Sequence, residues 1–539
     1  MGLSIHLLPL TAFLFVSAFA QSPYLPQEHY PPTPPIIVST CKASRDPATC
    51  EHVINRSGHV SPGSTARQVI LSLLHLTLHN LHTAKVQLKN IKHGSNMTRA
   101  TAANNSIEPI GYSRYRVGMT ITHGLSAGSS KLKDSRAWLS AALSSQYDGL
   151  GGLRKVNDSK DTIDAMAFMN NTLIGTTSTA LSMLANYDFH GENTSLWGPP
   201  KTERDGFWEP TDEKEWSDFK DGGGGGYKNL AYNATVCKTG GCDYRTVQDA
   251  VDAAPESKPA EKFVIRIKAG VYNETVRVSL YKYNVVFVGD GMGKTVITGC
   301  LNAGQPGMGI FHTATVGVLG DGFTARNITF ENTAVGYQAV AFRSDADRTV
   351  MEFCEFRGNQ DTLYAKSLRQ FYKSCHIRGN VDFIFGNAAA FFQDCKILIA
   401  PRPTQPEAGE DNTITAQGRL EPVQSTGFVF HKCSIKGTKK YMKQYLKNKD
   451  VHNNFLGRPW KEYSRTVFIR CNYGGLISEK GWMVWDGEFA LKTLYYGEFE
   501  NRGIGASNRV EWSSIVPTKH VNSYSVHNFI QGHQWIHSA

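Results

Sequence analysis

Past its N-terminal apolar run, Leu7–Phe19, the 539-residue chain has no stretch of apolar residues long enough to cross a bilayer. It also lacks a strong excess of one charge. Lys and Arg total 57 and Asp and Glu 47, for a net charge of +10. An acidic partner such as nucleic acid, an anionic membrane or a polyanionic carbohydrate fits that balance, and so does simple solubility. No phosphate loop is present. Gly289-Asp-Gly-Met-Gly-Lys-Thr (289–295) resembles one, but Val288 stands where the first glycine belongs, and β-branched residues follow instead of a helix start. His75, His79 and His82 share one helical face, yet no carboxylate or cysteine completes a metal site there, and no metal is expected.

The N-terminal run ends in Ala18-Phe19-Ala20 and has the length and small-residue exit of a signal peptide over residues 1–20, although its first residues contain no Lys or Arg. An uncleaved anchor is the competing reading. Nine Asn-X-Ser/Thr sequons and ten cysteines agree with secretion and disulfides. Cys237 and Cys242 either pair across a short loop or bind a metal with other ligands.

The chain is too long for one ordinary domain. Residues 21–35 are proline-rich and expected to be extended. Residues 36–187 read as an all-α four-helix bundle. The clearest helix is Thr65–Ile91, with its apolar stripe at Val69, Leu73, Leu76, Leu81 and Leu88; Trp138–Leu143 and Asp161–Leu184 follow, with Asp161 as candidate N-cap. Residues 188–229 read as a linker, broken by Pro199, Pro200 and Gly222–Gly226.

From 230 to 539 the texture changes to short β-branched and aromatic runs. Phe-Cys-Glu-Phe (353–356), Ser-Cys-His-Ile (374–377), Asp-Cys-Lys-Ile (394–397) and Lys-Cys-Ser-Ile (432–435) share one pattern, and Cys354, Cys375 and Cys395 are spaced by 21 and 20. A period of that length predicts a parallel β-helix, an all-β solenoid, with residues 400–427 and 436–455 as loops between coils. A β-sandwich is the alternative.

The period carries chemistry. Asp361 follows Cys354 by seven residues and Asp382 follows Cys375 by seven. Both acids therefore take the same place on adjacent coils, about 4.8 Å apart. At an effective dielectric near 20, two carboxylates at that distance repel by roughly 3 kcal/mol, about two pKa units. One is pushed toward keeping its proton, and the other needs a cation, for which Arg458 is a candidate. Gln360 and Gln338 carry carboxamides able to donate to a developing oxyanion. Tyr364, Phe383, Phe385, Trp460 and Trp482 are candidates to line a cleft, against the ordinary reading of each as core.

These motifs, with Lys-Ala-Gly-Val-Tyr-Asn-Glu (268–274), Gln-Ala-Val-Ala (338–341), Gly-Asn-Gln-Asp-Thr-Leu-Tyr (358–364), Gly-Asn-Val-Asp-Phe-Ile-Phe-Gly (379–386) and Leu-Gly-Arg-Pro-Trp (456–460), resemble the plant pectinesterases across residues 230–539. The resemblance implies a right-handed parallel β-helix catalytic domain that removes methyl groups from esterified pectin in the cell wall. It implies Asp382 as nucleophile, Asp361 as proton donor and then base, and Gln360 and Gln338 as oxyanion donors. Arg458 would orient Asp382, Trp460 would contact the sugar, and Cys375 and Cys395 would form a disulfide. No cofactor is implied. The expected partners are methyl-esterified pectin and a proteinaceous pectinesterase inhibitor, with no nucleic acid and no membrane, and the chain is expected to be a monomer. Residues 36–187 resemble, more weakly, the inhibitor-like pro-region, with Cys41 and Cys50 as its first disulfide. Its third and fourth cysteines are missing, and Gly149 stands near one of their places. A polygalacturonase-like glycosidase on the same fold is the competing enzyme class, since a carboxylate pair at this spacing suits retaining chemistry; that family's Asp-rich and Gly-His-Gly motifs are absent. A binding protein with a dead site is the non-enzyme alternative.

Overall fold

The computed structural model describes residues 33–94, 96–125, 131–156, 158–211, 231–258, 260–409 and 411–536. The signal-like segment 1–20, nearly all of the proline-rich segment and the Gly222–Gly226 run lie outside them.

Residues 234–515 wind into a parallel β-helix. Three sheets of eleven, seven and eight strands run its length, every ladder is parallel, and each sheet takes one strand from each successive coil. The coil is held by like stacking on like. Tyr372, Phe392, Phe430 and Phe468 form one interior pile, with ring centroids 4.7, 4.5 and 4.4 Å apart. At one corner the residue before each repeat cysteine (Phe353, Ser374, Asp394, Lys432, Arg470) has φ between +50° and +54°. This left-handed conformation costs a non-glycine residue about 1–2 kcal/mol, and here it turns the chain so that the following small thiol points inward.

That corner corrects one expectation. Cys375 and Cys395 are neighbours, but they are free thiols in a ladder with Cys354, Cys433 and Cys471, all buried. Cys375 Sγ donates to the Met351 carbonyl at 3.3 Å and Cys395 Sγ to the Tyr372 carbonyl at 3.5 Å. Side chains at equivalent places on adjacent coils run parallel, so their Cβ atoms keep the strand spacing of about 4.8 Å, whereas a disulfide wants about 3.8 Å. The disulfides that do form are Cys41–Cys50 and Cys237–Cys242. Thiol titration without reductant should therefore count six thiols in denaturant and only the exposed Cys300 in the native chain. A count of four in denaturant would restore the Cys375–Cys395 bond.

N-terminal to the coil stands the helical bundle. A short pair, Pro35–Cys41 and Pro47–Ser57, is tied by Cys41–Cys50. Long helices follow at Ala66–Gly94, Met97–Met119 and Leu132–Leu153, and Lys160–His190 is continuous through a π-helical stretch at Phe168–Ile174. Two details differ from the sequence reading. Ser159, paired with Thr162 in a capping box, is the N-cap of the last helix, and Asp161 sits in its first turn. Met97–Met119 went unread because its inward face is Ala103, Ser106, Ile110, Ser113 and Val117, too polar and small for an apolar stripe, and because Pro109 interrupts it. Gln146 satisfies that polar interior by donating to Ser113 and Thr177 at 3.0 and 2.9 Å. At Gly149 even a Cβ would lie 3.2 Å from Met169, so a cysteine there would force repacking.

The helix Leu132–Leu153 is buried on nearly all sides because it lies between the bundle and the coil. Arg116 holds Asp321 through two bonds of 2.6 and 2.7 Å. Asp134 takes Arg348 at 2.9 Å and Arg369 at 2.7 Å, and Trp138 Nε1 donates to Asp347 at 3.1 Å. Glu421 accepts from Arg45 and Tyr147 at 2.8 and 2.6 Å. These contacts seat the bundle along the corner between the seven- and eleven-stranded sheets. Residues 191–211, expected as part of a linker, pack between the two bodies, with Glu203 on Arg465 at 2.6 Å.

Candidate active site

The seven-stranded sheet positions the acid pair. Leu363 pairs with Ile384 and Tyr364 with Phe385. Asp361 and Asp382 each stand two residues earlier, so they are neighbours on adjacent coils. Each has a positive φ, +64° and +49°. Aspartate tolerates that conformation better than most residues, and both chains turn there into the sheet.

The surroundings of the two acids differ. Asp382, 5 % exposed, faces a guanidinium fork: Arg458 Nε donates to Oδ1 at 2.9 Å and Nη2 to Oδ2 at 2.6 Å. Such a two-point ion pair presents Asp382 as a carboxylate with a fixed orientation. The Thr413 hydroxyl also donates to Oδ1 at 2.6 Å and accepts from the Asp382 backbone N–H at 3.0 Å. Arg458 is steadied in turn by the Trp485 ring, 4.5 Å from its guanidinium carbon. Asp361, 3 % exposed, accepts one bond among the described residues, from Gln338 Nε2 at 2.8 Å. Burial raises its pKa well above the ordinary carboxylate value, and the neighbouring Asp382 charge adds to the rise, outweighing Gln338 and Arg458. One acid is thus driven to keep its proton beside one gripped by the guanidinium fork. Gln360 immediately precedes Asp361 and is half-buried; its carboxamide makes no hydrogen bond among the described residues.

An apolar platform flanks the pair. Tyr364 and Phe385 stack at 4.1 Å, Trp460 meets Phe385 edge-on at 6.0 Å, and Ile310 closes one side. Phe383 and Trp482 do not contribute. Both are buried in the interior of the coil, because their places in the register point inward. Thr413 and Trp485 escaped the sequence reading. Thr413 lies on the coil after Asp382, two residues before Thr415, which pairs with Ile384. The inserted loop at 400–411 hid its phase, and counting back from the strand Asn412–Gln417 would have found it.

Among the described residues no group of three or more His, Cys, Asp or Glu side chains is gathered as a metal site, and His75, His79 and His82 are exposed. Residues 289–295 form a turn ahead of the strand Thr295–Gly299. A buried proton donor, an oriented carboxylate and nearby amide donors constitute the parts for nucleophilic attack on a carbonyl with protonation of the leaving group.

Comparison with known proteins agrees with these parts. Residues 233–533 match the pectinesterase family, and residues 35–183 match the plant invertase/pectin methylesterase inhibitor family. A probable pectinesterase/pectinesterase inhibitor 64 of Arabidopsis thaliana is 52 % identical over 505 residues, 92 % of this chain and 83 % of that one. Pectinesterase 2 of Citrus sinensis is 35 % identical over 539 residues, 98 % of this chain and 97 % of that one. The pectin methylesterase from carrot superposes with a TM-score of 0.54 at 44 % identity, covering 57 % of this chain and 95 % of that one.

Proposed function

Because the chain belongs to the pectinesterase family, we propose how its own side chains carry out that family's reaction, the hydrolysis of pectin methyl esters to pectate and methanol. Asp382 attacks the ester carbonyl carbon through a carboxylate oxygen. The carbonyl electrons move onto oxygen, and the Gln360 and Gln338 carboxamides donate to that oxyanion. Loss of one such donor typically costs about 10²–10³ in rate. As the tetrahedral centre collapses, Asp361 gives its proton to the departing methoxide, and methanol leaves an Asp382–galacturonyl anhydride. Asp361, now ionised, takes a proton from water. The resulting hydroxide attacks the anhydride and releases the uronate, restoring Asp382 as carboxylate and Asp361 as acid.

The observation that carries this assignment is the asymmetry of the pair. Arg458 forks onto Asp382 alone, while Asp361 is buried with a single amide donor. Trp460, with Tyr364 and Phe385, supports the sugar ring. Acid pair, fork and platform all come from one chain, which supports a monomer as the acting species. The proposed place of action is the cell wall after secretion. The Cys41–Cys50 and Cys237–Cys242 disulfides support an oxidising compartment, and no described helix is long and apolar enough to cross a membrane.

The test is to supply methyl-esterified pectin and follow methanol and reducing ends together. Methanol without new reducing ends is expected. New reducing ends would replace the reading with a depolymerase, and binding without either product would leave a pectin-binding protein.

A further inference from the structure

The donors around Asp382 are shared unevenly between its two oxygens. A carboxylate offers about four lone-pair sites, two on each oxygen. Oδ1 takes two bonds, from Arg458 Nε at 2.9 Å and from the Thr413 hydroxyl at 2.6 Å. Oδ2 takes one among the described residues, from Arg458 Nη2 at 2.6 Å. Attack on a carbonyl needs a lone pair that no donor holds, and by this count it lies on Oδ2.

The single proton of the Thr413 hydroxyl has one destination. The Asp382 backbone N–H donates to the hydroxyl oxygen at 3.0 Å, so the hydroxyl accepts there and gives its own proton to Oδ1. Backbone, hydroxyl and carboxylate close a ring that fixes the Asp382 side chain against its own main chain. Thr413 is 1 % exposed and is held by the stack: its N–H donates to the Asn380 carbonyl at 3.1 Å, and it pairs with Phe455 on the next coil. The stacking order gives the ring a direction. Asp361 stands on the coil before Asp382 and Thr413 on the coil after it. Thr413 therefore ties Oδ1 to the side away from the proton donor. The Arg458 fork alone holds the carboxylate but leaves one lone pair open on each oxygen; Thr413 closes one of the two.

We propose that Thr413 is a positioning residue that assigns the attack to Oδ2. This rests on the pectinesterase reading and deepens it. Oδ2 forms the bond to the ester carbonyl carbon and becomes the bridging oxygen of the anhydride when methanol leaves. Oδ1 becomes the carbonyl oxygen of the Asp382 half and keeps both of its donors. When hydroxide attacks the galacturonyl carbon, the bond from that carbon to Oδ2 breaks. Its electron pair returns to Oδ2, and the carboxylate recovers its starting bonds. Thr413 acts through Asp382 alone, by holding the attacking oxygen in a productive orientation.

The test follows methanol release from methyl-esterified pectin for Thr413→Val, Thr413→Ala and Thr413→Ser, with thermal unfolding measured beside it. Val removes the hydroxyl and keeps the shape. Its kcat is expected to fall about tenfold or more, the size of a lost hydrogen bond to a charged group. KM should stay unchanged, so that kcat and kcat/KM fall together. Ser restores the hydroxyl, and its kcat should return to within about twofold of wild type although the lost methyl lowers its unfolding temperature. Ala removes hydroxyl and methyl without adding bulk and should be as slow as Val, which keeps the measurement available if Val disturbs the fold. Activity that follows the hydroxyl while stability follows the methyl supports the assignment. A folded Val or Ala variant with wild-type kcat overturns it, and so does a Ser variant as slow as Ala, or a loss confined to KM. A wild-type chain that releases no methanol overturns the pectinesterase reading instead.

Discussion

Asp382→Asn should lower methanol release from esterified pectin by about 10⁴-fold or more while the chain stays folded and still binds the polymer. The magnitude follows from removing a nucleophile that acts as one unit with its acid and its oxyanion donors. Asparagine has nearly the same shape and can still accept the Thr413 hydroxyl bond that Asp382 accepts at 2.6 Å. It cannot satisfy both arms of Arg458, because its amide nitrogen would face a guanidinium donor where a carboxylate oxygen now sits at 2.6 or 2.9 Å. Stability should fall modestly and activity almost completely. Methanol assays set beside thermal unfolding separate the two effects. A folded variant retaining more than about a hundredth of wild-type turnover would remove Asp382 as the attacking group.

For Asp361→Asn the expected loss is about 10²–10⁴-fold, the usual worth of a positioned acid–base group. Its signature is in the pH profile. Burial, and then the charge of Asp382, raise the Asp361 pKa well above its ordinary value. The proton needed by the leaving methoxide is present below that raised pKa and lost as pH climbs through it. In wild type the alkaline fall of kcat/KM therefore belongs to Asp361, and it should vanish in the variant. The same shift has a stability consequence of fixed sign. The folded chain keeps a proton that the unfolded chain gives up near the ordinary aspartate value, so this group's contribution becomes less favourable as pH rises between the two values. Asp361→Asn removes that burden and should unfold at a higher temperature than wild type at neutral pH, by calorimetry. An alkaline limb that survives unchanged in the variant would assign the proton to another group.

The repeat of Cys354, Cys375 and Cys395 was enough to read the coil and, from it, the pairing of Asp361 with Asp382, because a parallel solenoid converts a sequence period directly into neighbourhood. The same logic failed at Cys375 and Cys395 themselves. Proximity is a matter of period, but a disulfide also needs converging side-chain directions, and a ladder keeps them parallel. Phe383 and Trp482 failed for a related reason: which face a residue takes depends on local register, and the positive-φ turns reset it. Met97–Met119 was illegible because its buried face is small and polar, satisfied across helices by Gln146 and not by an apolar stripe.

What the chain's own order of residues determined, then, was everything carried by short-range repetition: the solenoid, its stacked core and two acids one coil apart. Tertiary structure alone decided how those acids differ, since Arg458 is 76 residues from Asp382 and Thr413 is 31. It alone seated Asp148 against a lysine more than two hundred residues away. Ion pairing and desolvation act through space, and no spacing along the chain encodes which charges the folded surfaces will bring together.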